Sequence, residues 1–102
     1  MGISKYIEDV IDEYENEILH NIPIKDLMYD FKADKILNEY DIEKLENIPE
    51  KEKLNYKFLE ILRSREDDDF YKFCKILQKN RATAIKNFGS KLEKQARGNN
   101  SK

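Results

Sequence analysis

Apolar residues recur every three or four positions in six short blocks along this chain, and polar punctuation separates the blocks. That period marks helices with one buried stripe. From a cap at Ser4 to about His20, Tyr6, Ile7, Val10, Ile11, Tyr14 and Ile18 share one side, with Glu8, Asp12 and Glu15 on the other. Pro23 suits a first helical turn, and Ile24, Leu27, Met28 and Phe31 form the stripe of a second helix whose outer face shows Asp26, Tyr29 and Asp30. Asn38 with Asp41 three residues on resembles a capping box and opens a short third helix, with Ile42 and Leu45 inward, that Asn47 and Pro49 end.

A fourth helix is expected from about Glu50 to Arg63 on Leu54, Phe58, Ile61 and Leu62, with Lys53, Lys57 and Glu60 facing water. Ser64, Arg65 and Glu66 make the next turn. Asp67, Asp68 and Asp69 then suit the positive end of a fifth helix carrying Phe70, Phe73, Cys74 and Leu77. A calcium loop would need carboxylates alternating over about twelve residues with a glycine at the sixth, so these aspartates read as a helix start. The sixth helix is expected from about Arg81 to Ala96 with Ile85, Phe88 and Leu92 on one side and Gly89 as a weak point. Three Gly, two Pro and no alternating run leave nothing that reads as a strand. The expectation is one all-α domain over residues 1–97 with a frayed polar tail at 98–102.

Charge changes the picture more than composition does. Residues 1–50 hold 14 Asp+Glu against 5 Lys+Arg, a balance of −9, and residues 51–102 hold 7 against 14, a balance of +7, within a net charge of −2. Such a split suits association through opposite faces. Lys72, Lys75, Lys79, Arg81 and Lys86 could line a basic face, but the overall negative charge argues against nucleic acid as the partner. No apolar stretch approaches the ~20 residues of a membrane span, and the N-terminus lacks a secretory block, so no membrane is expected and the compartment reads as cytoplasmic. Tyr6 stands where a myristoylation signal wants Ser or Thr.

Candidate chemistry is thin. His20 is the only histidine and Cys74 the only cysteine, which removes the usual zinc sets and any internal disulfide. Cys74 reads as a buried reduced thiol, and His20 as a helix-end cation. With no glycine-rich phosphate loop and no nucleophile elbow, the sequence reads as a non-enzyme without catalytic residues, cofactor or metal.

The order of elements resembles a caspase recruitment domain (CARD) of the death-fold superfamily. The carrying residues are Leu27-Met28, the run Lys35-Ile36-Leu37-Asn38 into Asp41-Ile42-Glu43-Lys44-Leu45, Lys57 to Leu62, and Asp69 to Leu77, which is similar to the family's aromatic-x-x-Phe-x-x-x-Leu fifth helix. The resemblance implies a six-helix antiparallel Greek-key bundle acting as an adaptor that binds another CARD in apoptosis or innate immune signalling. It also implies a contact in which an acidic patch, here Asp26, Asp30, Asp34, Glu39 and Glu43, meets a basic patch, here Lys53, Lys57, Arg63 and Arg65. The acidic outer face of the first helix departs from the family's basic one. Two alternatives follow: a stand-alone CARD-only regulator, host or viral, that caps a partner, or a death domain or death effector domain. A weak, open stacking of copies is expected, with Lys53, Lys57 and Arg63 on Asp30, Glu39 and Glu43.

Overall fold

The computed structural model describes residues 2–101; Met1 and Lys102, at the outer ends of the expected domain and tail, lie outside them. Among the described residues there are six helices and no strand: α1 (Lys5–Asn21), α2 (Ile24–Ala33), α3 (Glu39–Glu46), α4 (Lys51–Arg63), α5 (Asp67–Gln78) and α6 (Thr83–Asn100). The radius of gyration is 12.7 Å, as expected for a folded chain of this length. No described helix is long and apolar enough to cross a membrane.

The stripes read from the sequence are the core. Ile7, Val10, Ile11 and Ile18 of α1, Ile24, Leu27, Met28 and Phe31 of α2, and Leu54, Phe58, Ile61 and Leu62 of α4 are buried. At the centre Phe31 stacks on Phe58 with ring centroids 4.9 Å apart, and Phe73 closes the group at 5.7 and 5.4 Å. Helices α2, α4 and α5 thus meet through aromatic pairs that exceed the value of their buried area alone.

Three antiparallel pairs surround this centre. Helix α4 runs back along α1, where Arg63 reaches Asp12 and Asn55 reaches the other end of α1. The Asn55 amide is buried and donates to the carbonyls of Ile18, Leu19 and Ile22, each at 3.0 Å, supplying a side-chain donor to the C-terminal end of α1. Helix α6 runs back along α1, with Asn99 near Tyr6 and Phe88 against Tyr14. It also runs back along α5, and this is the most extensive helix pair in the fold.

Gly89 is the reason α5 and α6 come so close. A Cβ on it would lie 2.7 Å from Leu77 Cβ and 2.8 Å from the Cys74 carbonyl oxygen, so the position expected to be a weak point is the point of nearest approach. The helix-propensity cost of glycine is offset by packing that no other residue permits.

The termini differ from expectation in instructive ways. Ser4 is the N-cap of α1 but its side chain caps nothing; its amide and hydroxyl donate to the two carboxylate oxygens of Asp67 at 2.7 and 2.5 Å, joining the starts of α1 and α5. Asn38 and Asp41 form the expected capping box. Pro23 is the N-cap of α2 rather than its first residue. Helix α2 ends in a Schellman turn, with Ile36 N–H on Phe31 O and Lys35 N–H on Lys32 O, and Lys35 holds the left-handed position at φ 64° where glycine is usual. Helix α6 starts at Thr83, two residues late, and continues through Gly98 to Asn100 where fraying was expected.

Gly89→Ala is expected to destabilise the fold by about 1–3 kcal/mol, because backbone and a Cβ, not a flexible side-chain tip, block the added methyl. Urea denaturation checks it, and an unchanged midpoint would show that α5 and α6 separate freely.

Candidate interaction surface

The five predicted acidic residues all lie on the exterior, on α2, its C-cap and α3. Among the described residues Asp26, Asp30, Asp34 and Glu43 make no ion pair, whereas both Glu39 oxygens accept from Lys32 Nζ at 2.9 and 3.0 Å. Two exposed tyrosines accompany them, Tyr29 on α2 and Tyr40 on α3. The Tyr29 hydroxyl donates to Glu46 at 2.9 Å, and Lys44 Nζ sits 4.9 Å from the Tyr40 ring centre. Exposed tyrosines among carboxylates give a surface that can bury apolar area while its charge selects the partner.

This surface is not uniformly negative. Asp30 and Asp34 form one wall of a groove of about 420 Å³ between α2 and the end of α5, with Leu27 and Ile76 in it and Lys79 and Arg81 on the other side. The groove therefore has walls of opposite charge. Lys25 and Lys32 lie on the same helix as Asp26 and Asp30, so the excess negative charge sits on α1 and α3 rather than on α2.

The predicted basic patch is divided by the structure. Lys53 stands 71% exposed with Glu50 at 3.3 Å, and Lys57 pairs with Glu60 at 3.2 Å; both are contacts within one turn of α4 that water and salt readily exchange. Arg63 is different. Its guanidinium donates to Asp12 at 2.8 Å and Glu15 at 3.2 Å on α1, with 21% of the side chain exposed. Arg65 pairs with Asp41, only 10% exposed, whose carboxylate also closes the α3 capping box. The Arg65 Nε is buried with no hydrogen-bond partner among the described residues. Arg63 and Arg65 thus hold α4 to α1 and the turn after α4 to α3, and the structure does not present them as a free patch with Lys53 and Lys57.

Sequence reasoning passed over the polar group at the α5–α6 seam. Glu93, 13% exposed, accepts from Gln78 Nε2 at 2.7 Å and pairs with Lys75 at 3.2 Å and Arg97 at 2.8 Å. The Gln78 hydrogen bond, then those of Arg97 and Lys75, outweigh burial and hold its carboxyl below the ordinary range. The signal was present: Glu93 is the only carboxylate in α6, and it lies four residues before Arg97. Cys74 and His20 sit as the sequence reading expects. Cys74 is fully buried in α5, where burial pushes its thiol up, and His20 is exposed at the end of α1 beside Glu52.

No family model, no curated protein and no solved structure matches this chain.

A depressed folded-state pKa means that Glu93 contributes stability above its ordinary value of 4.5 and loses it as pH falls below that value through the folded pKa. Glu93→Gln is therefore expected to be less stable than wild type at neutral pH and to lose less on acidification below about pH 4.5. Urea midpoints at pH 3 to 7 (roughly the span that brackets carboxylate titration) check this, and parallel acid limbs would assign the loss to other carboxylates.

Proposed function

We propose that this chain is a non-enzymatic interaction module that docks its acidic α2–α3 surface on a basic surface of a partner, and that it does so as a CARD-like death-fold bundle. The observation that carries the reading is an asymmetry. Asp26, Asp30, Asp34 and Glu43 are exposed without an ion pair among the described residues, while on the basic side Arg63 and Arg65 are held by carboxylates of α1 and α3, which leaves only Lys53 and Lys57, in exchangeable contacts. Carboxylates with no internal partner are the ones that an incoming cation can use without breaking an existing contact.

Supporting the CARD-like form are the six helices in order, the short α3, and the packing of α1 against both α4 and α6 with α2 against α5. The exposed tyrosines Tyr29 on α2 and Tyr40 on α3 support a protein surface as the partner, since their rings add apolar contact to the charge. The mechanism is docking of preformed faces in a reducing, cytoplasmic setting.

One observation favours a regulator over an adaptor that propagates. Asp12 and Glu15 of α1 occupy Arg63, so a copy of this chain offers an acidic face with only half of a basic counterpart. A subunit with one competent face caps an assembly. It does not extend it.

Asp26→Lys with Asp30→Lys is expected to abolish binding to a CARD that carries a basic first and fourth helix, with an unchanged circular dichroism spectrum. Individual contacts of about 1–3 kcal/mol should weaken as salt rises. Retention of the wild-type affinity would show that another surface binds. Light scattering of the partner's own assembly separates the two roles: substoichiometric suppression marks a cap, and seeding marks an adaptor.

A further inference from the structure

Two neighbouring helices carry opposite charge along their whole lengths. Helix α1 holds Glu8, Asp9, Asp12, Glu13, Glu15 and Glu17 against Lys5 alone. Helix α6 holds Lys86, Lys91, Lys94 and Arg97 against Glu93 alone, and Glu93 is tucked against α5. The exposed side of α6 is therefore free of carboxylates, and its other exposed residues, among them Asn87, Ser90 and Gly98, are small.

From this we infer that the chain forms a two-fold dimer through the outer surface of α1 and α6, a use of the molecule separate from the acidic α2–α3 surface. The helices are antiparallel neighbours, with Tyr6 level with Asn99 and Tyr14 level with Phe88. Lys91 and Lys94 fall between Phe88 and Asn99, and Asp9 and Glu13 fall between Tyr6 and Tyr14, so the two pairs share one height along the bundle. A two-fold axis parallel to these helices keeps that height and exchanges their sides. It lays Lys91 and Lys94 of one copy over Asp9 and Glu13 of the other, twice, with no sliding of register.

The charges at this seam are available. Glu13 and Lys94 are exposed and unpaired among the described residues. Lys5 holds Asp9 at 2.6 Å in a pair exposed on both sides, and Glu17 meets Lys91 at 3.7 Å across the seam, so neither contact is costly to exchange. Lys91 also lies 4.9 Å from the Tyr14 ring centre, which keeps its ammonium over the seam instead of over α5. A net charge of only −2 leaves little general repulsion between copies.

Size sets the strength. Helices of 17 and 18 residues are about 25 Å long and lie roughly 10 Å apart, which gives about 500 Å² per copy and about 1,000 Å² in all. That is the lower end for a specific interface, so the dimer is transient and salt-sensitive.

Sedimentation velocity at ~10 μM and ~1 mM protein, in ~50 and ~500 mM salt, tests it across the relevant Debye lengths. The wild type is expected to move from monomer to twice the monomer mass at high protein and low salt, and back at high salt. Asp9→Lys with Glu13→Lys, and Lys91→Glu with Lys94→Glu, should each stay monomeric. Mixed in equal amounts they should form a one-to-one dimer at lower concentration than the wild type, because an all-basic face then meets an all-acidic one. Glu13→Lys and Lys94→Glu, which break no internal ion pair, repeat the comparison if a double variant loses its helical spectrum. Asp26→Lys with Asp30→Lys should dimerise as the wild type, which separates this surface from the docking face. Monomeric mixtures, masses beyond the dimer, or a wild type that stays monomeric while α6 binds duplex DNA or phosphatidylserine vesicles would each overturn the proposal.

Discussion

Phe31, Phe58 and Phe73 touch where α2, α4 and α5 meet, and all three rings are fully buried. They tie α2 to the α4–α5 pair across α3, so their contact fixes long-range geometry that no single helix contains. Truncating one such ring removes a large buried volume together with its neighbours' contacts, a loss on the order of 3–5 kcal/mol. With α2, α4 and α5 placed, α1 has a groove against α4, and α6 closes over α1 and α5.

That placement decides what each charge is for. Arg63 and Arg65 close α4 and its following turn on Asp12, Glu15 and Asp41, and Asn55 caps α1 from inside. Glu93 holds Lys75, Gln78 and Arg97 at the α5–α6 seam. Half-buried charges of this kind are compensated and have little left to offer a partner. The charges left over are the carboxylates of α2 and α3, the outer face of α1 and the cations of α6. These residual charges, not the total, are what a partner meets.

Gly89 links the two levels. It lets α5 and α6 close to a distance at which Glu93 can be held by Lys75 and Gln78 on α5, and the resulting antiparallel seam turns the remaining α6 cations outward. A residue expected to weaken a helix therefore helps to set where the basic face points.

The sequence by itself determined the six helices, their core stripes, the Asn38–Asp41 capping box and the absence of any strand among the described residues, because these depend on local period and local hydrogen bonding. It also located the exposed acids on α2 and α3, since residues opposite an apolar stripe face water. The Schellman turn at Lys35 escaped it because no glycine announced the left-handed position. Only the tertiary structure decided that Arg63 and Arg65 are internal, that Asn55 caps a helix more than thirty residues away, and that Ser4 turns to Asp67. The physical reason is that a charged or amide side chain is committed by whichever group lies across an interhelical gap. That distance is set by packing between elements remote in the chain, which the periodicity of one helix does not encode.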